Sequence, residues 1–280
     1  MKHLAALAPL ALPLFALLTA CSGASHPGRA QSESALTAPG LGGAATFAVL
    51  GGVTVTNGGP STIGGDVGVF PGAAVTGFPP GLQTSGAMHK ADAIAKKAQG
   101  DLTAAYDGLA AEPCTMDLSG TDLGGLTLKE GVYCFTSSAQ LTGALTLDGE
   151  GKADPVFVFK MVSKLTAASH ASVVMINGAS SCGVYWQVGS SATIGTSSAF
   201  AGTIVALTSI ALQTGASVDG RALARNGEVT MDDNHVAFSS CIAGDAGPGP
   251  AVDSGPADTG APDGGVDTAP PCDESESACP

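Results

Sequence analysis

Three short segments carry the side chains best suited to organising water at a surface. They are Leu165-Thr166-Ala167-Ala168-Ser169, Ala192-Thr193-Ile194-Gly195-Thr196 and Leu212-Gln213-Thr214-Gly215-Ala216-Ser217. They recur at roughly 20 to 27 residues, the length of one solenoid turn. In a strand, residues two apart point to the same side, and stacked strands lie about 4.8 Å apart. Stacked coils would therefore set Thr166, Ser169, Thr193, Thr196, Thr214 and Ser217 into ranks of hydroxyls and methyls. Hydroxyls exchange hydrogen bonds with water, and methyls order the water beside them. A charged side chain in the same place would hold water in a competing geometry. The same residue types also serve β propensity and turn hydrogen bonding, so composition alone does not decide between the two uses.

Other candidates are weaker. Asp232, Asp233 and His235, with Arg221 and Arg225 upstream, have the types of a carboxylate–histidine site, and glycoside hydrolysis needs two carboxylates at a fixed separation. Adjacent strand residues face opposite ways, which spoils Asp232 and Asp233 as a pair. A polar turn is the plainer reading, with the two arginines as ion-pair or carbonyl-binding groups. No phosphate loop, nucleophile elbow or zinc motif is present. Gly64-Gly65-Asp66 is a single faint copy of a calcium-type repeat. Neither catalysis nor any metal or cofactor is expected. Trp186, within Val184-Tyr185-Trp186-Gln187-Val188, reads as core.

The elements that must position these residues are short strands of period two. Phe47–Leu50, Val53–Val55, Leu145–Leu147, Val156–Phe159, Ser172–Ile176 and Gly202–Leu207 alternate or run apolar between Gly, Asn-Gly or Ser-rich turns such as Asn57-Gly58-Gly59, Asn177-Gly178 and Asn226-Gly227. A β-sandwich fits such strands almost as well; the recurring small-residue segments favour a solenoid. One helix stands out over Met88–Leu109. Ala91, Ile94, Ala95, Ala98, Leu102, Ala105 and Leu109 share a face, Thr84 or Ser85 is placed to cap the start, and Pro113 closes the end. A face built mostly of alanine requires close approach to a flat partner.

The 280 residues include only 12% charged ones, with 40 glycines and 5% aromatics. That composition suits thin repetitive β layers better than a helical bundle. The net charge of −13, without a Lys/Arg cluster, argues against nucleic acid as a partner. From Cys241 onward there are eight acidic residues and no basic one, so much of the excess charge belongs to the end of the chain. At the other end, Lys2 and the apolar Leu4–Leu18 read as an export signal. Leu18-Thr19-Ala20-Cys21 resembles the lipobox of bacterial lipoproteins, with Cys21 acylated after cleavage. Ser22 in place of Asp favours the outer membrane and cell surface. Six further cysteines, Cys114, Cys134, Cys182, Cys241, Cys272 and Cys279, read as disulfides in an exported protein. Fifteen pairings are possible, and proximity suggests Cys114–Cys134, Cys182–Cys241 and Cys272–Cys279. The expected organisation is a signal over 1–20, a lipidated tether over 21–39, a monomeric domain over 40–242 and an acidic disordered tail over 243–280.

Within that domain the segments Leu41-Gly42-Gly43-Ala44, Phe47-Ala48-Val49-Leu50, Val53 through Pro60, Gly65-Asp66-Val67-Gly68-Val69 and Val75-Thr76-Gly77-Phe78 open a longer match. It continues through the helix and Gly131-Val132-Tyr133, Leu141-Thr142-Gly143 and Pro155 to Phe159. It ends with Trp186 to Thr193 and Gly220 to Gly227. In this order they resemble the bacterial and fungal ice-binding proteins with a discontinuous β-solenoid. The resemblance implies a mainly β, irregular, right-handed, three-faced solenoid with one long helix packed alongside, and one flat face that adsorbs to an ice crystal surface. Members often show a Thr–Ala/Gly–x–Thr/Asn pattern on that face. Thr166 to Ser169 and Thr214 to Ser217 come close to it, with Ser in the last place. The implied activity is antifreeze or inhibition of ice recrystallisation. An adhesion or structural module on the same fold, without ice activity, is the alternative.

Overall fold

The computed structural model describes residues 36–238. The signal, Cys21, most of the tether, Cys241, Cys272, Cys279 and the acidic tail lie outside the described residues. A short 3₁₀ turn, Gly42–Thr46, leads into two coils of three strands each. The first is β1 (Phe47–Gly51), β2 (Thr54–Asn57) and β3 (Thr62–Gly64). The second is β4 (Asp66–Val69), β5 (Ala74–Thr76) and β6 (Leu82–Ser85). β7 (Met88–Lys90) then pairs with β4 and leads into α1 (Ala93–Ala111). After the helix come β8 (Met116–Asp117) and β9 (Thr127–Lys129), followed by a continuous run of coils. These are β10 (Gly131–Phe135), β11 (Ala139–Leu141), β12 (Ala144–Asp148); β13 (Phe157–Met161), β14 (Leu165–Ala167), β15 (Ser172–Ile176); and β16 (Val184–Val188), β17 (Ala192–Ile194), β18 (Ala199–Ala206). β19 (Ile210–Leu212), β20 (Ser217–Ala224), β21 (Val229–Met231) and β22 (His235–Ala237) finish the stack.

Every strand pairing is parallel, as a solenoid demands. The stack is nevertheless discontinuous in chain order. β1 pairs with β20, β2 with β21 and β3 with β22, so the first coil of the chain sits on the last. The helix is the return path. It runs from the β7 end past β16 and β13 to the far end of the stack, where β8 restarts the coils. β18 and β20 are long because each turns a corner, at Gly202 (φ 103°) and Gly220 (φ 147°). A Cβ at Gly220 would lie 2.1 Å from the Gly202 carbonyl oxygen, so only glycine lets neighbouring coils bend together there.

The three faces enclose one apolar interior. Tyr133, Phe159 and Trp186 stack along it on successive coils, with ring centroids 5.3 and 4.1 Å apart, and Phe200 of the same coil packs tilted against Trp186 at 4.9 Å. Trp186 is fully buried, and its Nε1–H donates to the Ala201 carbonyl at 2.9 Å, which satisfies its polar atom as a core tryptophan requires. A second apolar layer fills the gap between the β1–β10 face and the helix. There Ala98, Leu102, Ala105 and Leu109 meet Val132, Val158, Tyr185, Val205 and Leu223. As the alanine-rich face requires, the helix lies close. Gln99 is buried in the contact and donates to the carbonyls of Gly51 and Ala224.

The helix starts later than its periodicity predicts. Met88, His89 and Lys90 are spent on backbone pairing with β4, and Ala91 takes a positive φ of 53°, which no helix tolerates. Asp92 is the cap: its carboxylate accepts from the Ala95 N–H at 2.8 Å and meets the His89 ring nitrogen at 2.8 Å. Both contacts, the Ala95 N–H first, hold the Asp92 pKa below its ordinary value. Ile94, expected on the apolar face, is 55% exposed. At the other end of the helix Cys114 bonds Cys134, with Cα atoms 5.9 Å apart. Cys182 is also disulfide-bonded, and its expected partner Cys241 lies outside the described residues.

Candidate functional face

One face of the stack is a seven-stranded parallel sheet ordered β11-β14-β17-β19-β21-β2-β5. Each strand is short, and in six of them a central residue points outward between buried neighbours; in β5 the outward Thr76 ends the strand beside half-buried Val75. Leu165 and Ala167 flank Thr166, Ala192 and Ile194 flank Thr193, and Val229 and Met231 flank Thr230. The inward side chains pack in the common interior, so the outward ones have a fixed orientation. The register aligns these middle positions without a break: Gln140 with Thr166, Thr166 with Thr193, Thr193 with Ala211, Ala211 with Thr230, Thr230 with Thr56, and Thr56 with Thr76. At about 4.8 Å per strand the row is about 29 Å long. It contains five threonines and no charge.

Among the described residues, no protein group hydrogen-bonds the hydroxyls of Thr56, Thr76, Thr166, Thr193 or Thr230. Their donors and acceptors are left to solvent. The neighbouring hydroxyls are occupied. Along one border, Ser138 accepts the Lys164 N–H, Ser191 the Ser209 N–H and Ser209 the Glu228 N–H. These bonds tie each coil to the next. Lys164 and Glu228 are the charges of that border, and Thr54 donates to Glu228 at 3.5 Å.

The opposite border is the turn toward the next face. Ser169, Thr196, Thr214 and Asp232 follow one another there, each just before a residue of positive φ: His170 (60°), Ser197 (55°), Gly215 (73°) and Asp233 (53°). Backbone N–H groups of His170, Ser197 and Gly215 bond to the carbonyls of Thr196, Thr214 and Asp232. The Thr214 hydroxyl donates to Asp232 at 2.5 Å.

Of the six residues singled out in the sequence, the structure therefore brings Thr166 and Thr193 together on the flat sheet. Ser169, Thr196 and Thr214 stack at its turn border. Ser217 begins β20 on the adjoining face, aligned with Ala199 and His235. The third segment is out of frame by three residues, because the coil between Thr193 and its partner Ala211 is short. Thr56, Thr76 and Thr230 were not singled out. The strand alternation of Val53-Thr54-Val55-Thr56 carried their signal, but the link between the first and last coils is invisible in linear order.

The Asp232–His235 group does not converge. Asp232 sits in the turn, and its backbone N–H is taken by the Asn234 side chain. His235 faces out on the adjoining face, 2.8 Å from the Thr62 hydroxyl. Arg221 is buried, donates to the Ala45 carbonyl at 3.0 Å and lies 4.2 Å from the Phe238 ring centroid. Arg225 pairs with Asp107 at 3.4 Å. Asp66 accepts the Ala87 N–H. Among the described residues no group of three or more His, Cys, Asp or Glu side chains could hold a metal ion, and no helix is long and apolar enough to cross a membrane.

This architecture has known counterparts. The family model described as ice-binding-like matches residues 49–237. An ice-binding protein of Nostoc sp. (strain HG1) is 54% identical over 197 residues, 70% of this chain and 72% of that protein. Ice-binding protein 1 of Shewanella frigidimarina (strain NCIMB 400) is 35% identical over 230 residues, 71% of this chain but only 26% of that protein. The crystal structure of an ice binding protein from an Antarctic biological consortium superposes with a TM-score of 0.71 at 44% identity, covering 73% of this chain and 92% of that one. Match length, sequence identity and the discontinuous stack agree: the chain belongs to the ice-binding-like family.

Proposed function

We propose that the protein adsorbs to ice through the seven-stranded face, with Thr56, Thr76, Thr166, Thr193 and Thr230 as its centre. The observation that carries this reading is the uncharged row of aligned threonines whose hydroxyls have no partner among the described residues. A hydroxyl already bonded to a neighbour has part of its hydrogen-bonding capacity taken and its direction set by that bond, and a mobile one templates water poorly. Here the strands carrying Thr56, Thr166, Thr193 and Thr230 are hydrogen-bonded on both sides, Thr76 lies on the edge strand β5, and the inward side chains are packed, so water beside the row meets methyls and hydroxyls at fixed repeats. Water held in an ice-like pattern merges with a crystal surface. A growth front pinned between adsorbed molecules curves outward and stops advancing. Ser169, Thr196 and Thr214 border this surface at the turn; Ser217 faces elsewhere.

The function is adsorption without turnover. The family relationship supports it, since the relatives named above are ice-binding proteins. Thermal hysteresis and recrystallisation inhibition test it, measured on the purified protein and on a Thr166→Tyr, Thr193→Tyr double variant. The wild type should be active and the double variant nearly inactive. Activity that survives both bulky residues would move the site to another face. A wild type with no effect on ice would leave the adhesion or structural module.

We further propose that the chain is exported and held on the cell envelope by acylation of Cys21, in the sequence Leu18-Thr19-Ala20-Cys21. Several acyl chains give stable anchoring at about 0.8 kcal/mol per buried CH₂. Labelled fatty acid should appear in the native protein and not in Cys21→Ser.

A further inference from the structure

The threonine row has one defect. Between Thr193 and Thr230 the outward position is Ala211, aligned with both. Alanine has neither the hydroxyl nor the γ-methyl of its neighbours. The row is therefore split into Thr166–Thr193 on one side and Thr230–Thr56–Thr76 on the other. The gap between the two blocks is two strand spacings, about 10 Å. Nothing in the fold requires it. Ile210 and Leu212 are buried on either side and fix the outward orientation of residue 211. Thr230, Thr56 and Thr76 show that three successive coils accept threonine in register at this row. Threonine also suits a strand better than alanine.

We propose that Ala211 is the residue that limits ice adsorption, by dividing one templating row into two short ones. The inference rests on the reading of the seven-stranded face as the ice-binding surface. A row organises water cooperatively only while neighbouring side chains act on the same water. Over Ala211 that water has no hydroxyl to anchor it and no γ-methyl to order it. The two blocks then engage the crystal as linked but separate sites. A threonine at 211 joins them into six consecutive threonines, from Thr166 through 193, 211, 230 and 56 to Thr76.

The experiment compares the full chain with Ala211→Thr, Ala211→Val and Ala211→Tyr by thermal hysteresis at equal molar concentration. Thermal unfolding monitored by circular dichroism verifies that each variant is folded, and Ala211→Ser replaces any variant that is not. The expected order is Thr above Val, Val above wild type, and Tyr with most activity lost. Valine restores the methyls but not the hydroxyl and separates the two contributions. If Tyr abolishes activity while Thr equals wild type, the face binds ice but the gap does not limit it, and the proposal alone is overturned. If Tyr leaves activity unchanged, or neither the wild type nor any variant is active, the face is not the site, and both this proposal and the reading beneath it fail; loss of activity in Thr and Val as well as Tyr overturns the proposal alone.

Discussion

Two faces of the stack are free of the helix, and they use similar residues to different effect. On the seven-stranded face the outward row stays in register over all seven strands, and its threonine hydroxyls have no hydrogen-bond partner among the described residues. The adjoining face, formed by β9, β12, β15, the first halves of β18 and β20, β22, β3 and β6, also carries Thr62, Thr146, Ser172 and Ser217. There Thr62 bonds His235, and the Ser217 hydroxyl donates to the Ser198 carbonyl at 3.3 Å. β15 meets β18 only at Ser172 and Ala199, and β3 meets β6 through a register shift after Ile63. A depression of about 430 Å³ opens in this face among Val173, Phe200, Ala201 and Asp219. Exposed Asp219, His235, Val174, Ile176 and Leu82 interrupt the small polar residues. The two faces therefore differ less in serine and threonine content than in the continuity of their register and in the charged and large apolar side chains set among the hydroxyls.

Both faces rest on the same interior, so the largest effect should not distinguish them. Trp186→Ala removes the ring packed between Phe159 and Phe200 and should cost about 3–5 kcal/mol. Denaturant unfolding reads that loss, and activity per folded molecule should not change. The Cys114–Cys134 bond closes a loop of sequence separation 20 at the end of the stack. Replacing both residues with serine should cost about 3 kcal/mol, again without moving the activity of folded protein. A selective loss of ice activity in either variant would break the assignment of the two faces as independent of core stability.

The helix cap should have a smaller effect, and one dependent on pH. Folding lowers the Asp92 pKa, chiefly through the Ala95 N–H and then through His89. The stabilisation is therefore present above the ordinary aspartate value of about 4 and is lost as pH falls through the lower folded value. The melting temperature of Asp92→Ala should lie below wild type at neutral pH, and the gap should close in acid. The smallest effect belongs to the adjoining face, where Thr62→Ala and Ser217→Ala should change stability by less than about 0.5 kcal/mol and leave ice activity intact.

Local patterns were legible in the sequence wherever the chain decides alone. Period-two strands, the alanine face of the helix, the buried Trp186 and the Cys114–Cys134 pair all follow from neighbours in sequence. Three features needed the fold. Met88 to Lys90 looks helical, but β4 recruits it as a strand, and Ala91 breaks the run. Thr214 looks equivalent to Thr193 until the short coil between β17 and β19 places Ala211 there instead. Thr56, Thr76 and Thr230 form one block only because the first coil of the chain docks on the last, a contact across more than 150 residues that no local pattern announces.

The central claim is best tested within a single coil. Thr56 and Thr62 are six residues apart on β2 and β3, one on each free face. Thermal hysteresis should fall close to zero in Thr56→Tyr and stay at the wild-type level in Thr62→Tyr. Equal losses, or a loss confined to Thr62→Tyr, would contradict the assignment of ice adsorption to the seven-stranded face.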